Sequence, residues 1–291
     1  MYETFPLQSG GVTLAGYRWD AAAPGAFVCL LHGAGETAAR YERLAGFFSG
    51  RGISTLSMDL RGHGRSPGRR GHMGAREGVL QDVDCLLACA QEACGGAPVV
   101  LYGHSLGGNI ALDYRERGLL PDLPAAYLVS SPWLRLYKKV SAPLYYSVKA
   151  IRRFKPDFQL RANVDGALLG NRQVLAEYGG LALPQGVISA QTALESYEIA
   201  EKLLDPKRRR GAGENRPPLI LMHGTADRIC SIEGARTLAA MEGENCIFLE
   251  WDGYGHELHH GNRTETGMAV MEKMAALILE APALRKASDY W

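Results

Sequence analysis

The sequence has no apolar run near the ~18 residues that a membrane-spanning helix needs. Residues 1–5 lack the basic and apolar segments of a secretory signal, which predicts a cytoplasmic protein. Without an export signal, the six cysteines are expected to be reduced thiols. There is also no excess of one charge, because 32 Lys and Arg face 31 Asp and Glu, a formal net charge of +1. That balance argues against nucleic acid as a partner.

Short apolar segments alternate with amphipathic ones over most of the chain. Strands are predicted over 3–7, 12–19, 26–31, 53–58, 97–102, 125–130, 218–222 and 246–250, and helices over 38–49, 78–94, 109–117, 232–241 and 265–279. This alternation predicts an α/β fold with a mostly parallel eight-stranded sheet and helices on both faces. The alternation stops over 132–205. We therefore predict a core made of 1–131 and 206–291, with 132–205 inserted as a cap above the carboxyl ends of the strands.

A G-x-S-x-G motif, Gly103-His104-Ser105-Leu106-Gly107, lies between a predicted strand and a predicted helix. This is the context of a nucleophile elbow, a tight turn that lifts a serine hydroxyl clear of the sheet. A Cβ at Gly103 or Gly107 would collide with neighbouring backbone there, and glycine tolerates such close approach. The motif makes Ser105 the candidate nucleophile. The alternative is a glycine-rich turn with an incidental serine.

Two later strands each end close to a residue that a serine nucleophile requires. Asp227 follows the strand at 218–222, and His256 follows the last strand. A histidine base needs a carboxylate to fix its tautomer and to stabilise the imidazolium ion. The order Ser105, Asp227, His256 is the one found in hydrolases with this elbow. Asp252 is a rival acid because it lies nearer to His256 in sequence, and Asp227 has the alternative role of capping the next helix.

The segment His32-Gly33-Ala34-Gly35 follows another predicted strand. A serine hydrolase needs two backbone N–H donors aimed at the developing oxyanion. In enzymes with this elbow, one donor is the residue after the nucleophile, here Leu106, and the other lies in the loop after the third strand, here Ala34. The alternative is a glycine-rich loop that only reverses the chain.

Together these motifs resemble the monoacylglycerol lipase and lysophospholipase-like branch of the α/β-hydrolases. The residues that carry the resemblance are His32-Gly33-Ala34-Gly35-Glu36, Arg40-Tyr41, Asp59-x-Arg61-Gly62-His63-Gly64-x-Ser66, Gly103-His104-Ser105-Leu106-Gly107-Gly108, Ala226-Asp227-Arg228 and His256-x-Leu258-His259. The resemblance spans the core in order but not the insertion. It implies an α/β-hydrolase fold with a cap over the pocket and a triad of Ser105, Asp227 and His256. It also implies oxyanion donors at Ala34 and Leu106, and Glu36 as a brace for the oxyanion loop.

The function expected from these residues is hydrolysis of small acyl esters, such as monoacylglycerols or lysophospholipids, through an acyl-enzyme and without a cofactor. A competing motif, His256-Glu257-Leu258-His259-His260, matches the zinc-protease pattern H-E-x-x-H. On a helix, His256 and His260 would bind Zn²⁺ and Glu257 would act as the base, but this match begins in a glycine-flanked loop. A third hypothesis is a hydrolase fold reused as a non-catalytic small-molecule receptor, which the complete triad disfavours.

Residues 133–161 interleave Lys and Arg with aromatic side chains. Within this stretch Val140, Leu144, Val148 and Ile151 fall on one helical stripe. The stripe predicts an amphipathic cap helix that lies on the core with its charges in water. The alternative is peripheral contact with an anionic membrane, or capture of an anionic substrate. The sequence leaves the oligomeric state open.

Overall fold

A computed structural model of the protein describes residues 2–162, 164–179, 185–207 and 216–287. Its strands are β1 (Glu3–Ser9), β2 (Val12–Trp19), β3 (Ala26–Leu31), β4 (Ile53–Met58), β5 (Val99–His104), β6 (Ala126–Ser130), β7 (Gln159–Arg161), β8 (Val187–Ser189), β9 (Leu219–Gly224) and β10 (Cys246–Trp251). Eight of them form the central sheet in the order β1-β2-β4-β3-β5-β6-β9-β10. Only the pairs β1–β2 and β2–β4 are antiparallel within this sheet. The other pairs are parallel, so the predicted fold class is confirmed.

Helices cover both faces of the sheet. They are α1 (Glu42–Ser49), α2 (Arg76–Ala93), α3 (Leu106–Arg117), α4 (Ala142–Phe154), α5 (Arg172–Val174), α6 (Ala190–Leu203), α7 (Ile232–Glu242) and α8 (Met268–Ala287). Apolar residues of α2, α3 and α7 share one core cluster, whereas those of α1 and α8 share another. Two cores therefore enclose the sheet between them.

Strand β3 shows why the sheet is buried on both faces. All six of its residues are buried. Phe27, Cys29 and Leu31 join the cluster with α2 and α3. Val28 and Leu30 join the cluster with α1 and α8. Side chains of a strand alternate between faces, so a continuous apolar run is what a strand between two helical layers requires.

Between β6 and β9 the chain forms α4, β7, α5, β8 and α6. Strands β7 and β8 pair antiparallel as a separate two-stranded sheet, and α4 packs on α6 through Val148, Ala190 and Leu194. Near its end α6 also inserts Ile199 and Leu203 into the core cluster of α2 and α3. The predicted cap covers these elements, except that 163 and 180–184 lie outside the described residues.

Several local predictions differ from the structure: β5 covers Val99–His104 rather than 97–102, α3 begins at Leu106 rather than at 109, and the last helix ends at Ala287 rather than at 279. The helix predicted over 38–49 is divided into a 3₁₀ turn, Ala38–Tyr41, followed by α1. The last helix begins at Met268 rather than at Glu265, because the Asn262 side chain accepts the amides of Thr264 and Glu265 in a turn. Leu144 was expected on the buried stripe of α4, yet 54% of its surface is exposed.

Among the described residues, every helix is too short or too polar to cross a bilayer.

Candidate active site

Ser105 occupies a strained turn between β5 and α3. Its φ of 54° and ψ of −114° lie in a region that side-chain-bearing residues rarely adopt. The close approach of the surrounding backbone imposes this geometry. A Cβ at Gly107 would lie 2.0 Å from the Leu31 oxygen, and one at Gly103 would lie 2.3 Å from the Gly107 oxygen. The Ser105 amide donates to the Ser130 carbonyl over 3.0 Å, which ties the turn to β6.

Ser105, His256 and Asp227 form one continuous line of hydrogen bonds. The distance from His256 Nε2 to Ser105 Oγ is 2.9 Å, and the distance from His256 Nδ1 to Asp227 Oδ2 is 2.8 Å. A carboxylate only accepts, so Nδ1 carries the proton. Nε2 is then free to accept the proton of the serine hydroxyl. The three side chains are buried, and the structure brings together the three residues that the sequence selected.

Asp227 is held from both sides. Its Oδ1 accepts the amides of Ile229 and Cys230, over 2.8 and 3.0 Å, while Oδ2 faces His256. The rival acid Asp252 is exposed, and its carboxylate accepts the Thr225 hydroxyl instead. The helix that Asp227 might have capped, α7, is capped by the Ser231 hydroxyl. Geometry therefore favours Asp227 as the partner of the imidazole.

Burial and charge act in opposite directions on the two titratable groups. Burial lowers the pKa of His256, but the Asp227 carboxylate outweighs it, and the pKa rises above its ordinary value of 6.5. Burial raises the pKa of Asp227, but His256 and His223 outweigh it and hold that pKa below its usual range. The ring of His104 lies 4.9 Å from that of His256, and burial lowers the His104 pKa to about 4. The base thus has an ionised carboxylate on one side and a neutral ring on the other.

The loop expected to supply an oxyanion donor is internally braced. Glu36 Oε2 accepts the Gly33 amide over 3.2 Å and the Tyr41 hydroxyl over 2.7 Å. Ala34 lies between these contacts and lines the cavity that contains Ser105. Leu106 is the first residue of α3, so its amide has no intrahelical acceptor. The arrangement can present two N–H groups to a developing negative charge.

The H-E-x-x-H residues are engaged in other contacts. The two nitrogens of His256 face Ser105 and Asp227, and His260 Nδ1 lies 2.6 Å from Glu257 Oε2. Within the described residues, the two groups that could gather metal ligands both contain Glu257 and neither contains His256. Arg40 also donates to both Glu257 oxygens, and a guanidinium there repels a divalent cation. These contacts favour an ion pair over a zinc site.

A cavity of about 170 Å³ opens at Ser105 and His256. A second cavity of about 330 Å³ lies beneath α4. Both are lined almost entirely by apolar atoms, and they share the side chains of Trp133, Leu136 and Ile188. The sequence did not identify these wall residues, because they come from the insertion and its approach, where no motif marks a cavity surface.

Comparisons with known proteins are consistent with this geometry. The Hydrolase_4 family model, described as Serine aminopeptidase, S33, matches residues 22–263. Monoglyceride lipase of Homo sapiens is 31% identical over 259 residues, covering 81% of this chain and 77% of that protein. Monoacylglycerol lipase of Mycolicibacterium smegmatis is 28% identical over 253 residues, covering 86% and 88%. The crystal structure of Paleococcus ferrophilus monoacylglycerol lipase superposes with a TM-score of 0.77 at 26% identity, covering 92% of this chain and 99% of that one.

Proposed function

The chain belongs to the Hydrolase_4 family of α/β-hydrolases, and from this premise we propose that it cleaves monoacylglycerols, lysophospholipids or similar acyl esters. The observation that carries the proposal is the line of hydrogen bonds from Asp227 through His256 to Ser105, at the floor of an apolar cavity. A zinc-dependent reaction and a non-catalytic receptor are both disfavoured by these contacts and by the family.

In the proposed mechanism, His256 Nε2 takes the hydroxyl proton while Ser105 Oγ attacks the ester carbonyl carbon. The amides of Ala34 and Leu106 stabilise the oxyanion that forms. Each such donor is typically worth about 3 kcal/mol in the transition state. His256 then gives its proton to the departing alcohol, leaving an acyl group on Ser105. His256 then takes a proton from water as the water attacks the acyl-enzyme, and it returns that proton to Ser105 Oγ as the carboxylic acid leaves.

The apolar lining of the two cavities supports an acyl chain as the part of the substrate that binds there. They share the side chains of Trp133, Leu136 and Ile188 as lining, so an acyl chain on Ser105 lies in the first cavity with the second directly beside it, beneath α4. Burying one methylene is worth about 0.8 kcal/mol, which corresponds to roughly a fourfold change in kcat/KM for each methylene added to the acyl chain. The acyl chain therefore contributes to specificity as well as to affinity.

A panel of p-nitrophenyl esters of rising chain length, assayed beside monoacylglycerols and lysophospholipids, tests the proposal. We expect kcat/KM to rise with chain length until the cavities are filled and then to level off or fall. Ser105→Ala should lack turnover while keeping its fold, as judged by circular dichroism. Turnover that survives in Ser105→Ala, or kcat/KM values independent of chain length, contradicts the proposal.

We further propose that α4 contacts an anionic membrane surface. The helix and its neighbours expose large apolar side chains, including Leu144 (54%), Tyr146 (65%) and Phe154 (84%). The exposed cations Lys149 and Arg153 lie on the same helix. Exposed apolar residues beside Lys and Arg are typical of interfacial helices that bind anionic lipid.

Co-sedimentation with phosphatidylglycerol vesicles tests this contact. We expect the double variant Leu144→Ser/Phe154→Ser to bind these vesicles less than the wild type does. Leu279→Ser, an exposed leucine of α8, is the matched control and should bind like the wild type. Wild-type binding that does not change with the anionic lipid content contradicts the proposal.

A further inference from the structure

Glu257, the residue after the candidate base His256, forms a buried ion pair with Arg40, which lies next to the oxyanion loop. Arg40 Nη2 donates to both oxygens of Glu257, over 3.0 and 2.9 Å. The side chains are 3% and 1% exposed. Glu257 Oε2 also accepts from His260 Nδ1. Burial lowers the pKa of Arg40, but the Glu257 carboxylate outweighs it and raises that pKa, so the pair is ionised.

The pair connects two loops that lie far apart in sequence. Arg40 lies in the 3₁₀ turn Ala38–Tyr41, which follows the oxyanion loop. Glu257 is the immediate neighbour of His256, and 217 positions separate the two partners. The adjacent Tyr41 donates its hydroxyl to Glu36, which in turn holds the Gly33 amide. The 3₁₀ turn therefore contacts the oxyanion loop through Tyr41 and the base loop through Arg40.

This arrangement has a direct consequence for the reaction. The proposed donor at Ala34 and the proposed base at His256 belong to these two loops, and catalysis requires both at fixed distances from one carbonyl group. A displacement of the Glu257 carboxylate reaches His256 through a single peptide unit. A buried Arg–carboxylate contact made to both oxygens resists such displacement better than a single hydrogen bond.

We propose that Arg40 and Glu257 are positioning residues that fix the base loop against the oxyanion loop. The acidic residue of the H-E-x-x-H pattern thus holds the site together instead of activating water on a metal. The inference rests on the proposed function, since the spacing of the loops affects turnover only if His256 is the base.

The test removes the ion pair without leaving an unpaired buried charge. Arg40→Met/Glu257→Met replaces both partners with side chains of similar length, which proteins often accept. We expect kcat and kcat/KM for a p-nitrophenyl ester to fall by the same factor, about 10- to 100-fold, with KM unchanged. Equal losses identify an interaction that matters in the transition state, and a misplacement near 1 Å can cost about 100-fold.

The matched control is a second buried Arg–Glu pair. Arg115 Nη1 lies 2.8 Å from Glu242 Oε1, joining α3 to α7, and both side chains are buried. Arg115 is about 15 Å along α3 from Ser105. Arg115→Met/Glu242→Met should therefore keep the wild-type kcat even if it lowers the melting temperature. A similar loss of kcat in this control overturns the proposal, because general destabilisation would then explain both results.

A second variant decides the question if the first double variant does not fold. Arg40→Lys keeps the charge but replaces the planar guanidinium, whose Nη2 contacts both oxygens, with a freely rotating ammonium group on a shorter side chain. We expect a smaller loss of kcat, again with KM unchanged. A wild-type kcat in either folded variant overturns the positioning role. Wild type and Ser105→Ala are run in the same assay. Activity that remains in Ser105→Ala would show that the proposed function is wrong, whereas an inactive Ser105→Ala beside a fully active Arg40 variant would show that only the positioning role is wrong.

Discussion

Replacing Asp227 with asparagine perturbs one atom of the site. Oδ1 of Asp227 accepts the amides of Ile229 and Cys230, so asparagine must keep its carbonyl oxygen there. Its NH₂ group then occupies the position of Oδ2, 2.8 Å from His256 Nδ1. Because an NH₂ group donates, Nδ1 becomes the acceptor and the imidazole proton moves to Nε2. The ring then donates towards Ser105 and cannot take the hydroxyl proton.

The expected loss is large because the tautomer, the charge and the base strength change together. The same substitution in a serine protease with this triad chemistry lowers kcat about 10⁴-fold. That factor corresponds to about 5.4 kcal/mol of transition-state stabilisation. The loss of the carboxylate also removes the interaction that raises the pKa of His256, so the base becomes weaker.

Initial rates of p-nitrophenyl ester hydrolysis measure this effect, with circular dichroism to check the fold. Asp252→Asn is the control, because Asp252 is exposed and its carboxylate accepts from Thr225 rather than from the imidazole. We expect a wild-type rate for Asp252→Asn and a rate about four orders of magnitude lower for Asp227→Asn. A rate within tenfold of wild type for Asp227→Asn would refute the reasoning about the tautomer.

Three further predictions concern the base, the oxyanion loop and the elbow. His256 must be neutral to accept a proton, so kcat/KM should fall as the pH drops through its raised pKa, and an acidic midpoint below 6.5 contradicts this. Glu36→Gln removes the charge that accepts from Gly33 and Tyr41, and we expect kcat to fall about tenfold, less than for loss of an oxyanion donor itself. Gly107→Ala places a Cβ 2.0 Å from a carbonyl oxygen. We expect it to lower the free energy of unfolding, measured by urea titration, by about 1–3 kcal/mol or more. Gly46→Ala, with open space around its Cβ, should not lower that free energy.

The sequence was sufficient to predict those features that depend on residues close together along the chain. Strand β3 has the predicted bounds, because an apolar run between turn residues is a local signal. Ser105 could be identified as the candidate nucleophile because glycines flank it at 103 and 107. Both positions require glycine, since the backbone approaches closely at the elbow. Asp227 and His256 followed because each comes shortly after a strand of a parallel sheet, and such strand ends meet at one edge.

The remaining features depend on contacts that a local pattern cannot show. Arg40 and Glu257 are 217 positions apart, and nothing in the surrounding residues of either indicates the other. The exposure of Leu144 depends on how α4 lies on α6, which the helical stripe alone does not determine. Trp133 lines both cavities because the chain turns there from the core into the insertion, a tertiary feature without a motif.

The most direct test is the site of covalent labelling by a fluorophosphonate. This probe requires a serine activated by a neighbouring base, which is the property assigned to Ser105. We predict a single adduct by intact-mass spectrometry, mapped to Ser105 by peptide sequencing, lost in Ser105→Ala and slowed by orders of magnitude in Asp227→Asn. Labelling at another serine, or no labelling of a folded and catalytically active protein, would contradict the account.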